Sequence, residues 1–179
     1  MNRLLLLLAL LAASCHRTTP EERVHRLLTD RMLTLATAEG CTGGTIAARI
    51  TALPGASAYF ICGFVPYGMN AKEHLLLVSC DTIARYGAVS ERVVCQMADG
   101  ARRTAGTHYA IATTGIAGPT GGTAAQPVGT VWIAVSSPLR TTARLLHLDG
   151  RRPRIIREAG SAAISLLEEE LLADNPSAE

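Results

Sequence analysis

Two short β-prone runs in this chain each empty into a loop of glycines and small hydroxyl residues. The run "MLTLATA" (32–38) leads through "EGCTGGT" into the helix-like "IAARI", and the run from Tyr109 to Thr113 leads into "TTGIAGPTGG". A strand that turns through glycine into a helix must pack that helix back on its own sheet, which points to an α/β domain. In such domains ligands bind outside the carboxyl ends of the strands, where both loops fall.

The rest of the chain repeats the alternation. Thr19, Pro20 and Glu22 form a capping box and first turn for a helix carrying Val24, Leu27 and Leu28 on one stripe. "GGTIAARI" leads into a helix that stops before Leu53-Pro54-Gly55, and "SAYFICGFV" (57–65) reads as a strand. "PYGMNAKEHLLLV" reads as a turn and short helix. Asp81 is placed to cap "TIARYG", and Ser90 to cap a helix with Val93, Val94 and Met97 facing inward. "VGTVWIAVSS" and "TTARLLHLDG" are strands joined by the short link Ser137-Pro138-Leu139, which favours an antiparallel pair. A final helix is expected from Arg154 to Leu172, with Ile155, Ile156, Ala159, Ala163, Leu166 and Leu167 inward. The fold class is therefore a three-layer α/β/α sandwich, a mixed sheet covered by helices.

With 179 residues, 48% of them hydrophobic, the chain is long enough for one core and one domain. Seventeen Lys and Arg against fifteen Asp and Glu leave no general basic surface, which argues against a nucleic-acid partner. The start, "MNRLLLLLALLAASCHR", has an apolar run from Leu4 to Ala13, too short to span a bilayer but of the length of a signal-peptide core. Ser14-Cys15 resembles a bacterial lipobox, with Ala12 where that box usually has Leu. This reading makes 1–14 a signal peptide, Cys15 the lipidation site, 15–20 a linker, 21–172 the domain and 173–179 a disordered tail. It places the protein at the cell envelope, anchored to the membrane by lipid. A true start further along the chain would leave it cytoplasmic instead. Of the remaining cysteines, Cys41, Cys62, Cys80 and Cys95, no two have CxxC spacing, so no zinc site is expected.

Taken alone the first loop is ambiguous. It has neither the GxGxxG spacing of a dinucleotide turn nor the Lys of a Walker A loop, yet glycines ahead of a helix N-terminus suit an anion as well as a tight connection. Between the two loops lies Lys72, the only lysine of the chain beside sixteen arginines. Lysine, unlike arginine, loses its proton when desolvated and then serves as a base, while a chance surface residue is the plain alternative.

The segments "AEGCTGGTIAARITALPGASAYF", "VPYGMNAKEHLLLV", "YGAVSERVVCQMADGARR", "ATTGIAGPTGGTAAQPVGTVWIAV" and "LDGRRPRIIREA" occur in the order and spacing of the CinA C-terminal domain family. The chain resembles that family over residues 21 to 172, and the family includes stand-alone nicotinamide mononucleotide amidases. The resemblance implies hydrolysis of the carboxamide of nicotinamide mononucleotide to nicotinate mononucleotide and ammonia, with no cofactor or metal, by a homo-oligomer acting on a small nucleotide substrate. It assigns Ser57 and Lys72 to a Ser/Lys-type site with Tyr67 alongside. It gives Thr42, Gly43, Gly44, Thr114, Gly115, Ala117 and Gly118 to the substrate walls, and Arg152 to a phosphate clamp.

Three departures stand inside this resemblance. Gly40 replaces the serine of "AESCTGG"; Gly68, Met69 and Asn70 replace the middle of "YSNEAK"; and "GDR" has become Gly150-Arg151-Arg152. Cys41 is then a substitute nucleophile to weigh against loss of catalysis. The alternatives are a catalytically impaired nucleotide-binding lipoprotein and an amidohydrolase for another small amide.

Overall fold

The computed structural model describes residues 18–174, so the expected signal peptide, Cys15 and most of the expected tail lie outside the described residues. Five strands form one sheet in the order β2-β1-β3-β4-β5: β1 (Leu35–Glu39), β2 (Phe60–Phe64), β3 (Tyr109–Gly115), β4 (Thr130–Ser136) and β5 (Thr141–His147). β1 runs parallel to both β2 and β3, while β4 and β5 are antiparallel additions, joined as the short Ser137–Leu139 link requires. The mixed sheet agrees with the sequence. β1 is buried along its whole length, Thr37 and Glu39 included, although its sequence alternates. Helices cover both of its faces, as for central parallel strands generally.

Six helices make the outer layers: α1 (Pro20–Asp30), α2 (Thr45–Thr51), α3 (Met69–Leu76), α4 (Cys80–Tyr86), α5 (Glu91–Ala105) and α6 (Arg152–Ala173). One face of the sheet presents Leu35, Tyr109, Ile111, Val131, Ile133 and Val135 to α1, α2 and α6. Its other face presents Ala36, Ala38, Ala110, Ala112 and Ala134 to α3, α4 and α5. Bulky side chains on one side and alanines on the other let α5 lie close to the sheet, where Val93, Val94 and Met97 fill the space.

Local signals account for most helix starts. The Thr19–Glu22 capping box is formed in both directions, and Ser90 accepts from the Val93 amide. α4 is capped by Ser79, which accepts from the Thr82 amide, while Asp81 sits inside the first turn. This corrects the expected Asp81 cap: the helix begins one residue before that aspartate, where its charge favours the dipole without capping. α6 begins at Arg152, two residues earlier than expected, with Pro153 in its first turn. The described helices and strands run from Pro20 to Ala173. All four described cysteines are free thiols.

Candidate active site

At the carboxyl ends of β1, β2 and β3 a cavity of about 170 Å³ opens, lined by Gly40 and Cys41, Tyr67 and Lys72, Ala88 and Val89, Thr114, Gly115 and Ala117, and Arg152. It lies in the crevice where parallel strands end and the antiparallel part of the sheet begins. Ligand pockets for whole small molecules run to roughly 300–1,000 Å³, so this one holds a ring-sized group and leaves the remainder of a larger ligand at its mouth.

The first glycine loop contributes less to this cavity than its composition promises. Glu39, fully buried at the end of β1, accepts from the amides of Gly44 (3.0 Å), Ile46 (2.9 Å) and Ala47 (2.8 Å). The Thr45 amide donates to the Thr42 carbonyl at 3.2 Å. An internal carboxylate therefore occupies the position an external anion would take at the start of α2, and the anion reading of this turn is corrected. Thr42, Gly43 and Gly44 accordingly do not line the cavity. The Thr42 hydroxyl shares a hydrogen bond with that of Thr113 (2.8 Å), and Gly43 and Gly44 hold left-handed φ values of 61° and 97° for the turn.

Gly40 and Cys41 are the part of the loop that faces the cleft. The Gly40 amide continues the ladder to the Thr113 carbonyl at 2.9 Å, and a Cβ on Gly40 would lie 2.8 Å from that same oxygen. Glycine here permits a close approach of two backbones, so a serine needs a backbone shift as well as a side chain. Cys41 is buried, and its thiol is pushed up to about 11, chiefly by burial; its own amide, the Thr113 hydroxyl and the Arg152 charge act in the opposite direction.

Lys72 enters from α3. The residue is 4% exposed, and Nζ donates to the carbonyls of Pro66 (2.7 Å) and Tyr67 (3.2 Å). Burial lowers its pKa from the ordinary lysine value, while the neighbouring Cys41 thiolate would raise it. A neutral amine has two N–H bonds and one lone pair; two carbonyls engage the N–H bonds and leave the lone pair for the cavity. What lets α3 pack so closely on α5 is Gly100 of α5, where a Cβ would stand 1.9 Å from the Leu76 carbonyl oxygen.

The second glycine loop and the start of α6 complete the walls. Thr114 donates to the Ala88 carbonyl (2.8 Å), holding the α4–α5 connection against the cavity, and Gln126 holds it again through the Val89 carbonyl (2.9 Å). Arg152 donates to the Gly118 carbonyl (2.9 Å) and to the Tyr67 hydroxyl (2.8 Å), tying three chain segments together at the rim. Gly118 thus supports the site through Arg152 and does not line it.

Ser57 is not brought to this place. It is exposed in the 3-10 turn Ala56–Ala58 that precedes β2, beside a separate depression lined by Thr51, Leu53, Pro54 and Phe60. Lys72 and Tyr67 follow β2, so the length of the strand separates them from Ser57 within this chain. The sequence carried a signal for this, since crevices form where parallel strands end and Ser57 stands where one begins. Glu39, Ala88, Val89 and Gln126 were not singled out from sequence. Among the described residues no group of three or more His, Cys, Asp or Glu is placed to hold a metal ion, and no helix is long and apolar enough to cross a membrane.

The fold and this crevice define an α/β/α domain with a cleft at the carboxyl ends of its parallel strands. The chain belongs to the CinA C-terminal domain family, whose model matches residues 17–171. A CinA-like protein of Geobacter metallireducens is 46% identical over 155 residues, covering 87% of this chain and 38% of that protein. A putative competence-damage inducible protein of Acetivibrio thermocellus is 48% identical over 130 residues, covering 73% and 32%. The chain therefore spans about a third of the length of these curated relatives. Solved structures match at full length. A CinA superfamily protein of Klebsiella pneumoniae superposes with a TM-score of 0.82 at 35% identity, covering 87% of this chain and 99% of that one. The competence/damage inducible protein CihA of Agrobacterium tumefaciens gives 0.81 at 36%, covering 89% and 99%.

Proposed function

We propose that this chain hydrolyses the carboxamide of nicotinamide mononucleotide, releasing ammonia, with Lys72 as the base. The observation that carries the reading is the state of Lys72: the chain's only lysine is buried, its N–H bonds are directed at two carbonyls, and it faces a ring-sized cavity. Burial lowers the Lys72 pKa and so favours the proton-free amine that a base requires, a state arginine does not reach. Arg152 at the rim retains N–H donors beyond the two it spends on Gly118 and Tyr67, and these suit a phosphate outside the cavity. The Ile116 amide is spent on the Thr130 carbonyl, so the backbone of the lining residues Gly115 and Ala117 is the part of this loop assigned to the carboxamide.

One observation favours a second reading, a cleft that binds the nucleotide without cleaving it: Gly40 offers no hydroxyl and its backbone is closed against β3. Ammonia release by the full chain supplied with nicotinamide mononucleotide separates the two. Turnover that Lys72→Ala reduces by about 10²-fold or more supports the amidase. No turnover at high protein concentration, with the nucleotide still raising the melting temperature, overturns it in favour of binding.

A further inference from the structure

We infer that a second copy of this chain pairs antiparallel with the free edge of β2, and that the cleft is completed across this pair, with Ser57 supplied by one subunit and Lys72 by the other. The shared site rests on the amidase reading above; the pairing itself does not. The sheet ends in two edge strands, β5 and β2, and they are finished differently. β5 carries Arg144, paired with Glu169, and just ahead of it Arg140 pairs with Glu170 and Asp174. Charges of this kind keep a strand edge from pairing with another chain. β2 has no such guard: from Ile50 to Ala71 no side chain is charged, and along the strand and the turn after it Ile61, Val65, Tyr67 and Met69 stand close to half exposed or more. An apolar edge without charges is a template for a further strand.

The occupant that fits is the same strand of another copy. Two β2 edges paired antiparallel are related by a two-fold axis, so the contact closes on itself and leaves no open end for a filament. With the five-residue strands in full overlap the axis passes Cys62, and Phe60 faces Phe64 of the partner subunit. Antiparallel pairing also exchanges the strand ends. The Ala56–Ala58 turn, which starts β2, then lies beside the end of the partner's strand, toward Tyr67 of the partner subunit and Lys72 of the partner subunit. Within one chain the strand holds Ser57 and Lys72 apart; across the pair it puts them at the same end. Shape agrees, since the depression of about 420 Å³ beside Ser57 is turned toward the exposed Met69 of the partner subunit. The cavity has need of the addition: both hydroxyls of its own lining are engaged, that of Thr114 with the Ala88 carbonyl and that of Tyr67 with Arg152.

The test measures the mass of the full chain in solution by light scattering, then its ammonia release. The expected mass is that of two copies, and Ile61→Lys, a change at an exposed position, should halve it while thermal melting shows the fold intact. Should that variant fail to fold, Val65→Lys decides. A single-copy mass for the unaltered chain, or a folded lysine variant that stays paired, overturns the β2 interface. Ser57→Ala and Lys72→Ala chains are then co-expressed, each being inactive alone. Random pairing gives every mixed pair one site with both groups, so about a quarter of the unaltered rate should return. No recovery, with the unaltered chain active, overturns the shared site and leaves the amidase reading standing. An unaltered chain that releases no ammonia overturns the amidase reading and the shared site with it, while the mass still decides the pairing.

Discussion

The two glycine loops leave neighbouring parallel strands at the same edge of the sheet, with similar composition, and do opposite things. In the loop after β1, Glu39 and internal carbonyls take up the amides at the start of α2, and only Gly40 and Cys41 reach the cavity. In the loop after β3, Thr114, Gly115 and Ala117 line the cavity, and the hydroxyl of Thr114 holds another wall in place. What separates them is a single buried acid. A glycine loop ahead of a helix is an anion site only when no side chain of the protein already fills it.

The largest expected break of this contrast is Glu39→Ala. It leaves three amides at the start of α2 without their carboxylate in a buried place, and unfolding free energy should fall by about 3–5 kcal/mol. Urea titration checks this, and a loss below about 1 kcal/mol would mean that water or a rearranged turn satisfies those amides equally well. Gly40→Ser tests the other half of the same loop. Its Cβ meets the Thr113 carbonyl at 2.8 Å, so stability should drop by about 1–3 kcal/mol as β1 and β3 adjust. A serine variant as stable as the starting protein would show that the loop has room. If that variant also releases ammonia faster, the hydroxyl and not the backbone was what the site lacked.

On the second loop, Thr114→Val removes one donor from the Ala88 carbonyl, for an expected loss of about 1 kcal/mol and a looser α4–α5 wall. Proteolysis of the 87–90 connection, followed by mass, reads that loosening. The smallest effect is in pH. Because the Cys41 thiol is raised to about 11 in the fold, the folded state keeps a proton that the unfolded chain loses first. Its stability contribution is complete below the ordinary thiol value and is lost as pH rises toward 11. Alkylation of Cys41, followed peptide by peptide, should therefore keep accelerating above pH 9, where an ordinary thiol of pKa about 8.5 has nearly levelled off.

Much of the fold was legible because its signals are local. The capping box at Thr19, the serine cap at Ser90, the stripe of Val93, Val94 and Met97 and the short β4–β5 link each involve residues within a few positions of one another. The crevice was legible in outline for the same reason, since two strand-to-glycine transitions mark two strand ends. What was not legible depends on distance. Glu39 reaches amides five to eight residues ahead, which only the finished turn brings within reach. Ala88 and Val89 become cavity wall only because Thr114 and Gln126, more than twenty-five residues later, hold their carbonyls. For Ser57 closeness in sequence to β2 does not tell which end of that strand it occupies, and within this chain it stands at the start.

The single lysine has one more consequence. Apart from the α-amine, every reagent that seeks amines has one target in this protein, and that target is the floor of the cleft. An activated ester added to the native protein labels Lys72 only as fast as the cleft admits it, and a lysine-specific protease has one bond to cut, inside α3. The molecule therefore carries a built-in gauge of its own opening, with no tag or engineered probe, and any occupant of the cavity should register as silence at that one position.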